Sequence, residues 1–142
     1  MIKLITHEIG SLAKPEWRVK TGSNKEITQK DINDAVFWGK KLSLNFQPLI
    51  KLLEKKKLSL KDKKEIRVWA SIYGVSMLEK AGIDFVYDGE QQRSEMYQYA
   101  VNLSKGFVFK GLVRSFDNKY YQKAACIDKP KLKKPWHIDE LK

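Results

Sequence analysis

Cysteine is almost absent from this 142-residue chain. Cys126 stands alone, so no internal disulfide framework can form, and a reduced, half-buried thiol in a cytoplasmic protein is expected. Histidine is nearly as scarce. His7 and His137 lie far apart in sequence and, even with Cys126, cannot supply the three or four close ligands of a zinc shell, so no metal site is expected in this chain. No apolar run approaches the ~18 residues of a membrane span. The opening Met1 to Thr6 has too short an apolar stretch and no small-residue cleavage site for a signal peptide. There is no phosphate-binding P-loop, no G-x-G-x-x-G and no nucleophile elbow. Arginine is also rare. Of the 28 basic residues behind the net charge of +11, only Arg18, Arg67, Arg93 and Arg114 are arginines. Base readers and phosphate forks favour the planar guanidinium, whereas this charge is carried by scattered lysines. It reads as solvated helix surface, and nucleic acid is not an expected partner.

What is present is enough for a core. Hydrophobic residues make up 42% of the chain and aromatics 11%, which excludes a disordered polypeptide. Residues 2–6 are β-rich and predict a first strand, and Pro15 is expected to keep the following chain extended. Residues 21–27 are polar and predict a surface loop. Thr28 with Asp31, and Ser59 with Asp62, each have capping-box spacing. They predict helices over 28–56 and 60–81, the second stopped by Gly82. Ile83 to Tyr87 is a short apolar strand ended by the turn Asp88-Gly89-Glu90. A helix from about Gln92 to Leu103 follows, ended by Gly106, then a β-rich hairpin or extended excursion over 107–116. An extended connector runs through Pro130 and Pro135 to a helix starting at His137. Strand, helices, strand, helix is the rhythm of a βα protein with parallel strands.

Two polar, glycine-containing loops follow the two strands, where a βα-barrel carries its active site. In Ile9-Gly10-Ser11 the glycine lets the backbone approach a ligand, and the following N–H groups and the Ser11 hydroxyl could hold a carboxylate; taken alone, the pair favours an ordinary turn with a capping serine. In Asp88-Gly89-Glu90-Gln91-Gln92-Arg93 a carboxylate could accept hydrogen bonds from a ligand ammonium. A salt-bridged helix start, with Arg93 paired to Glu90 or Asp88, is the alternative.

The two segments together carry a resemblance. Thr6-His7-Glu8-Ile9-Gly10-Ser11-Leu12 resembles the opening of the catalytic barrel in cobalamin-independent methionine synthases, most of all their short archaeal forms. Gly82 to Met96 resembles that family's G-x-D-x-x-x-x-G-E-x-x-R-x-[DE]-M signature. Gly106-Phe107 and Val113-Arg114-Ser115-Phe116 match its downstream Gly-Phe and V-x-S-[YF] pattern. The resemblance implies the first part of a (β/α)8 TIM-type barrel that moves a methyl group to the thiol of homocysteine. It implies that Ile9, Gly10 and Ser11 hold the carboxylate of homocysteine or methionine and that Glu90 binds the ammonium. His7, Asp88, Arg93, Lys119 and Tyr120 are candidates for supporting or donor-side roles.

Two departures from the family pattern follow. An S-Y-G-S-R-C stretch that contributes to donor binding in the long folate-dependent forms is here Ser115-Phe116-Asp117-Asn118-Lys119-Tyr120, which leaves the donor open between a methylfolate-like pterin and a methyl-corrinoid. The family's zinc ligands come from the second half of the barrel, which this sequence does not include. Zinc makes the attacking thiolate, because a coordinated thiol is deprotonated outright. The chain alone is therefore expected to hold the amino acid without activating it, and to need a partner chain, self-association or the remaining barrel for methyl transfer. A (β/α)8 barrel takes roughly 250 residues.

Overall fold

A computed structural model describes residues 4–93, 96–115 and 120–135. The chain divides into two compact units, Met1–Gln92 and Arg93–Lys142.

The first unit is mainly helical. Helix α1 spans Glu16–Gly22, where the sequence suggested extended chain and loop. Pro15 sits just before its first turn, a position where its fixed φ suits helix entry, and α1 buries Trp17, Arg18 and Thr21. The single helix expected over 28–56 is two: α2, Gln29–Lys41, and α3, Gln47–Leu53. The break is a Schellman ending, in which Ser43 N–H donates to the Lys40 carbonyl (3.1 Å) and Leu44 N–H to the Gly39 carbonyl (3.0 Å). Ser43 takes φ 57°, and Pro48 in the first turn of α3 prevents the helix from running through. Apolar periodicity continues across this break, which is why the sequence hides it.

Helix α4, Leu60–Lys80, matches its expected bounds. The Ser59 hydroxyl accepts from Asp62 N–H (3.1 Å), and the Asp62 carboxylate accepts from Ser59 N–H (2.8 Å), completing a capping box. At the other end Gly82 N–H donates to the Glu79 carbonyl and Ile83 N–H to the Leu78 carbonyl, the same Schellman pattern. Trp17, Ala35, Leu49, Leu53, Ile66, Ala70 and Tyr73 form the core between the four helices. Trp17 meets Tyr73 edge-on with ring centres 5.6 Å apart.

The two strands expected at 2–6 and 83–87 reduce to one parallel bridge, His7 to Phe85. Phe85 N–H donates to the Thr6 carbonyl (3.0 Å), and Glu8 N–H donates to the Phe85 carbonyl (3.2 Å). Residues 1–3 lie outside the described residues. The parallel direction is the one the βα rhythm implied. Leu4 is 83% exposed, Ile5 65% and Phe85 58%, so the apolar flanks of this bridge are uncovered within the first unit.

In the second unit helix α5 spans Met96–Asn102, shorter than the expected 92–103. Strand β1, Ser104–Arg114, pairs antiparallel with β2, Tyr120–Leu132. The connector expected over Pro130 to Pro135 is thus a strand as far as Leu132. Proline is tolerated because a two-stranded ribbon consists of edges only. Gly106 begins no loop but sits within β1 at a register shift between Lys105 and Phe107. Its φ is +85°, and a Cβ there would lie 2.7 Å from the Asp128 carbonyl oxygen and 3.0 Å from that of Lys129. Gly106→Ala is expected to lower hairpin stability by about 2 kcal/mol, from the left-handed φ and the collision with backbone. Amide hydrogen exchange across residues 104–109 and 124–132 measures it, and unchanged protection would refute the steric argument. Cys126, expected half-buried, is exposed, because no other strand among the described residues pairs with this ribbon; its thiol donates to the Asp128 carbonyl at 3.2 Å. The helix expected from His137 and the residue Lys119 lie outside the described residues.

Candidate functional site

The loops after the bridged segments meet. Ser11 and Glu90, 79 residues apart in sequence, join through a hydrogen bond from Ser11 Oγ to Glu90 Oε2 of 2.6 Å. Three sets of contacts bring them together. Below, the Asp84 carboxylate accepts from both Thr6 N–H (3.0 Å) and Thr6 Oγ1 (2.9 Å), locking the bridged segments in register. At the level of the loops, Tyr87 Oη donates to the Gly10 carbonyl and Leu12 N–H to the Gly89 carbonyl (3.1 Å). Behind them, Gln91 Nε2 donates to the carbonyls of Leu12 (3.2 Å) and Ala13 (3.4 Å).

Asp88 shapes the turn that presents Glu90. Its Oδ1 accepts from Glu90 N–H (2.9 Å) and its Oδ2 from the Ser71 hydroxyl of α4 (2.7 Å). Gly89 and Glu90 both occupy the left-handed region, at φ 60° and 63°. For Glu90 this is strained by about 1–3 kcal/mol, a conformation that persists only where surrounding contacts over-determine it. Asp88 is thus a residue that holds the loop. Arg18, buried on α1, donates from Nε to the Gln91 carbonyl at 3.2 Å. Burial, with Arg67 nearby, lowers its pKa to about 10, which still leaves it a cation at neutral pH.

The other residues singled out from the sequence have these surroundings, each within its own unit. The Ile9 side chain is 87% exposed, so any contribution to a ligand is through its backbone. Gly10 takes φ +97° beside it. The His7 ring lies 6.3 Å from Phe85 at the bridge. Arg93 opens the second unit, with its guanidinium 5.1 Å from the centre of the Tyr99 ring. Tyr120 is the first residue of β2, opposite Arg114, and 63% exposed. Sequence reasoning missed Ser71, Tyr87 and Gln91. Their signal was a polar atom on an otherwise apolar helix face or strand, visible only once a partner 17 to 79 positions away is known.

Lys20 of α1 holds Asp31 of α2 through both carboxylate oxygens, at 3.0 and 2.7 Å, with Asp31 almost fully buried. Burial raises the Asp31 pKa, but hydrogen bonds from Lys20 and Thr28 outweigh it and the net shift is downward. A lowered folded-state pKa stabilises the fold above the unfolded value and loses that contribution as pH falls through the folded one. The melting temperature of the chain is therefore expected to drop on acidification below about pH 4, and Asp31→Asn to flatten that drop. Thermal melts from pH 7 to 2 provide the measurement, and equal slopes in both proteins would remove Asp31 as the cause.

Comparisons with known proteins bear on this geometry. No family model matches the chain, and no solved structure matches it. Curated relatives do. Over 143 residues it is 32% identical to a methionine synthase of Thermoplasma acidophilum, covering 100% of this chain and 32% of that protein. A methionine synthase of Thermoplasma volcanium is 34% identical over 142 residues, covering 99% of the chain and again 32% of the relative. One from Pyrococcus furiosus is 44% identical over 93 residues, 66% of the chain and 28% of that protein. Along its whole length the chain is thus similar to archaeal proteins named methionine synthase. It spans about a third of the length of the relatives it matches over its full extent. Among the described residues no three His, Cys, Asp or Glu side chains gather as a metal shell. No helix among the described residues is long and apolar enough to cross a membrane.

Proposed function

We propose that this chain is the amino-acid-holding portion of a zinc-dependent, cobalamin-independent homocysteine S-methyltransferase, the N-terminal part of a (β/α)8 barrel. The observation that carries the reading is the 2.6 Å contact between Ser11 and Glu90. An α-amino acid carries its carboxylate and ammonium on one carbon, so its two binding groups must sit side by side. Ser11 can turn its hydroxyl from Glu90 to a substrate carboxylate, joined by backbone N–H groups after Gly10. Glu90 then accepts the ammonium in a charge-assisted hydrogen bond. The parallel bridge between His7 and Phe85 supports a barrel beginning, since parallel strands joined through helices are its repeating unit. The uncovered flanks at Leu4, Ile5 and Phe85 are where further strands of such a barrel, or a partner chain supplying them, would pair. The described residues offer no metal set, so no step through zinc is assigned to them; its ligands would lie in the part of the family's length that this chain does not span. The methyl donor is a methylated pterin or corrinoid.

Titration of the isotopically labelled chain with L-methionine tests this directly. Amide shifts are expected at Gly10, Ser11, Gly89 and Glu90, and N-acetyl-L-methionine, which lacks the ammonium, is expected to bind far more weakly. Equal binding of the two, or shifts confined to other residues, would overturn the assignment of Glu90.

A further inference from the structure

A second site lies behind the loops. Within the first unit, α2, α4 and the segment from Leu12 to Trp17 enclose a cavity of about 420 Å³, in the ~300–1,000 Å³ range of small-molecule sites. Its walls include Trp17, Trp38, Leu42, Tyr73, Met77 and Gln91. Neither Ser11 nor Glu90 lines it, so it stands apart from the amino-acid site proposed above.

Gln91 is the informative residue. It is 1% exposed, and its Oε1 is the one buried side-chain polar atom without a hydrogen-bond partner among the described residues. The amide cannot simply be turned over, because its Nε2 is committed to the Leu12 and Ala13 carbonyls, and reversal would set oxygen against oxygen. A buried acceptor left empty forfeits its hydration with nothing in return, so native structures pair such atoms with protein, water or ligand. Tyr73 cannot serve, since its hydroxyl donates to the Ala35 carbonyl at 2.9 Å. Burial, helped by the Asp34 charge, raises the Tyr73 pKa to about 12, so the ring stays neutral. The exposed Asp34 carboxylate is part of the cavity's lining. Aromatic walls, one unanswered acceptor and a carboxylate define a complementary molecule.

We infer that this cavity binds a compact, flat, largely apolar molecule that presents an N–H donor to Gln91 Oε1. Because Gln91 follows Glu90 directly and fastens the Leu12 backbone, an occupant would also stiffen the loop that carries Glu90.

Indole and benzothiophene separate this from non-specific apolar binding. They are nearly isosteric bicycles, but only indole has an N–H, and benzothiophene is the more hydrophobic. Two-dimensional amide spectra of the full chain, titrated with each, should show indole shifting Gln91, Leu12 and Gly74 and binding at least about fivefold more tightly, the worth of one neutral hydrogen bond. Gln91→Met should reduce that preference to within about twofold. Should Gln91→Met fail to fold, Leu42→Trp fills the cavity from the α2 side, leaves Gln91 in place, and should abolish binding of both bicycles. Tighter or equal binding of benzothiophene by the native chain would overturn the inference. So would the absence of binding by either compound, which would assign Gln91 Oε1 to solvent.

Discussion

Gly89→Ala is expected to dismantle the loop that presents Glu90 and to lower the melting temperature of the chain by roughly 10–20 °C, the equivalent of about 3 kcal/mol in a unit of this size. Two costs combine. At φ +60° an alanine pays about 1–2 kcal/mol for the left-handed region. Its Cβ would also lie 2.4 Å from Leu12 Cγ and 2.6 Å from Leu12 Cβ, an overlap worth about 1–3 kcal/mol. Leu12 cannot retreat cheaply, because its N–H is bonded to the Gly89 carbonyl and its own carbonyl to Gln91. Gly82→Ala is the matched control. Gly82 has φ +81°, but no atom lies within 4 Å of where its Cβ would sit, so only the dihedral cost applies, about 1–2 kcal/mol. Melting both variants separates the two contributions. Equal losses would show that the contact between Gly89 and Leu12 is immaterial. In the Gly89 variant alone, the amide resonances of Ser11 and Glu90 should move together, since one displacement breaks both sides of their hydrogen bond.

In a complete enzyme of this family carrying this segment, Glu90→Gln should raise the Michaelis constant for homocysteine by about ten- to a hundredfold, the equivalent of losing a charge-assisted hydrogen bond of roughly 1.5–3 kcal/mol. Stability should barely change. The carbonyl oxygen of the substituted amide can still accept from Ser11, and the 2.6 Å contact it replaces is solvent-exposed. The backbone N–H of residue 90 keeps its bond to Asp88 whatever the side chain. If Glu90 instead served the fold, for example by pairing with Arg93, the same substitution would lower the melting temperature and leave the constant nearly unchanged. Measuring both on one preparation decides between the roles, and the second result would remove Glu90 from the amino-acid site.

Much of the helical architecture could be read from local chemistry. The Ser59–Asp62 box and the Gly82 ending bound α4 because capping depends on residues three or four apart, a spacing the sequence displays directly. The same logic failed at residue 43, where a serine rather than a glycine adopts φ 57° between two stretches whose apolar periodicity is unbroken. It failed again at β2, because an exposed ribbon strand needs no alternating apolar face and tolerates Pro130. The two short strands were overextended for a related reason. A β-rich run becomes a strand only when partners lie on hand, and among the described residues His7 and Phe85 have only one another.

By itself the sequence determined the helix caps and the parallel direction of the bridged segments. It also determined the choice of two loops, and the likeness to archaeal methionine synthases, one of which matches the chain along its whole length. Only the tertiary structure decided that Ser11 and Glu90 touch. It also decided that Asp88 and Ser71 set the turn between them, and that Gln91 turns an unanswered oxygen toward no protein partner among the described residues. The division has a physical cause. A cap, a stop or a strand direction is fixed by dihedral preferences and hydrogen bonds within a few residues. A contact across 79 positions exists only after the packing of four helices has brought its two ends together, and no local preference records that.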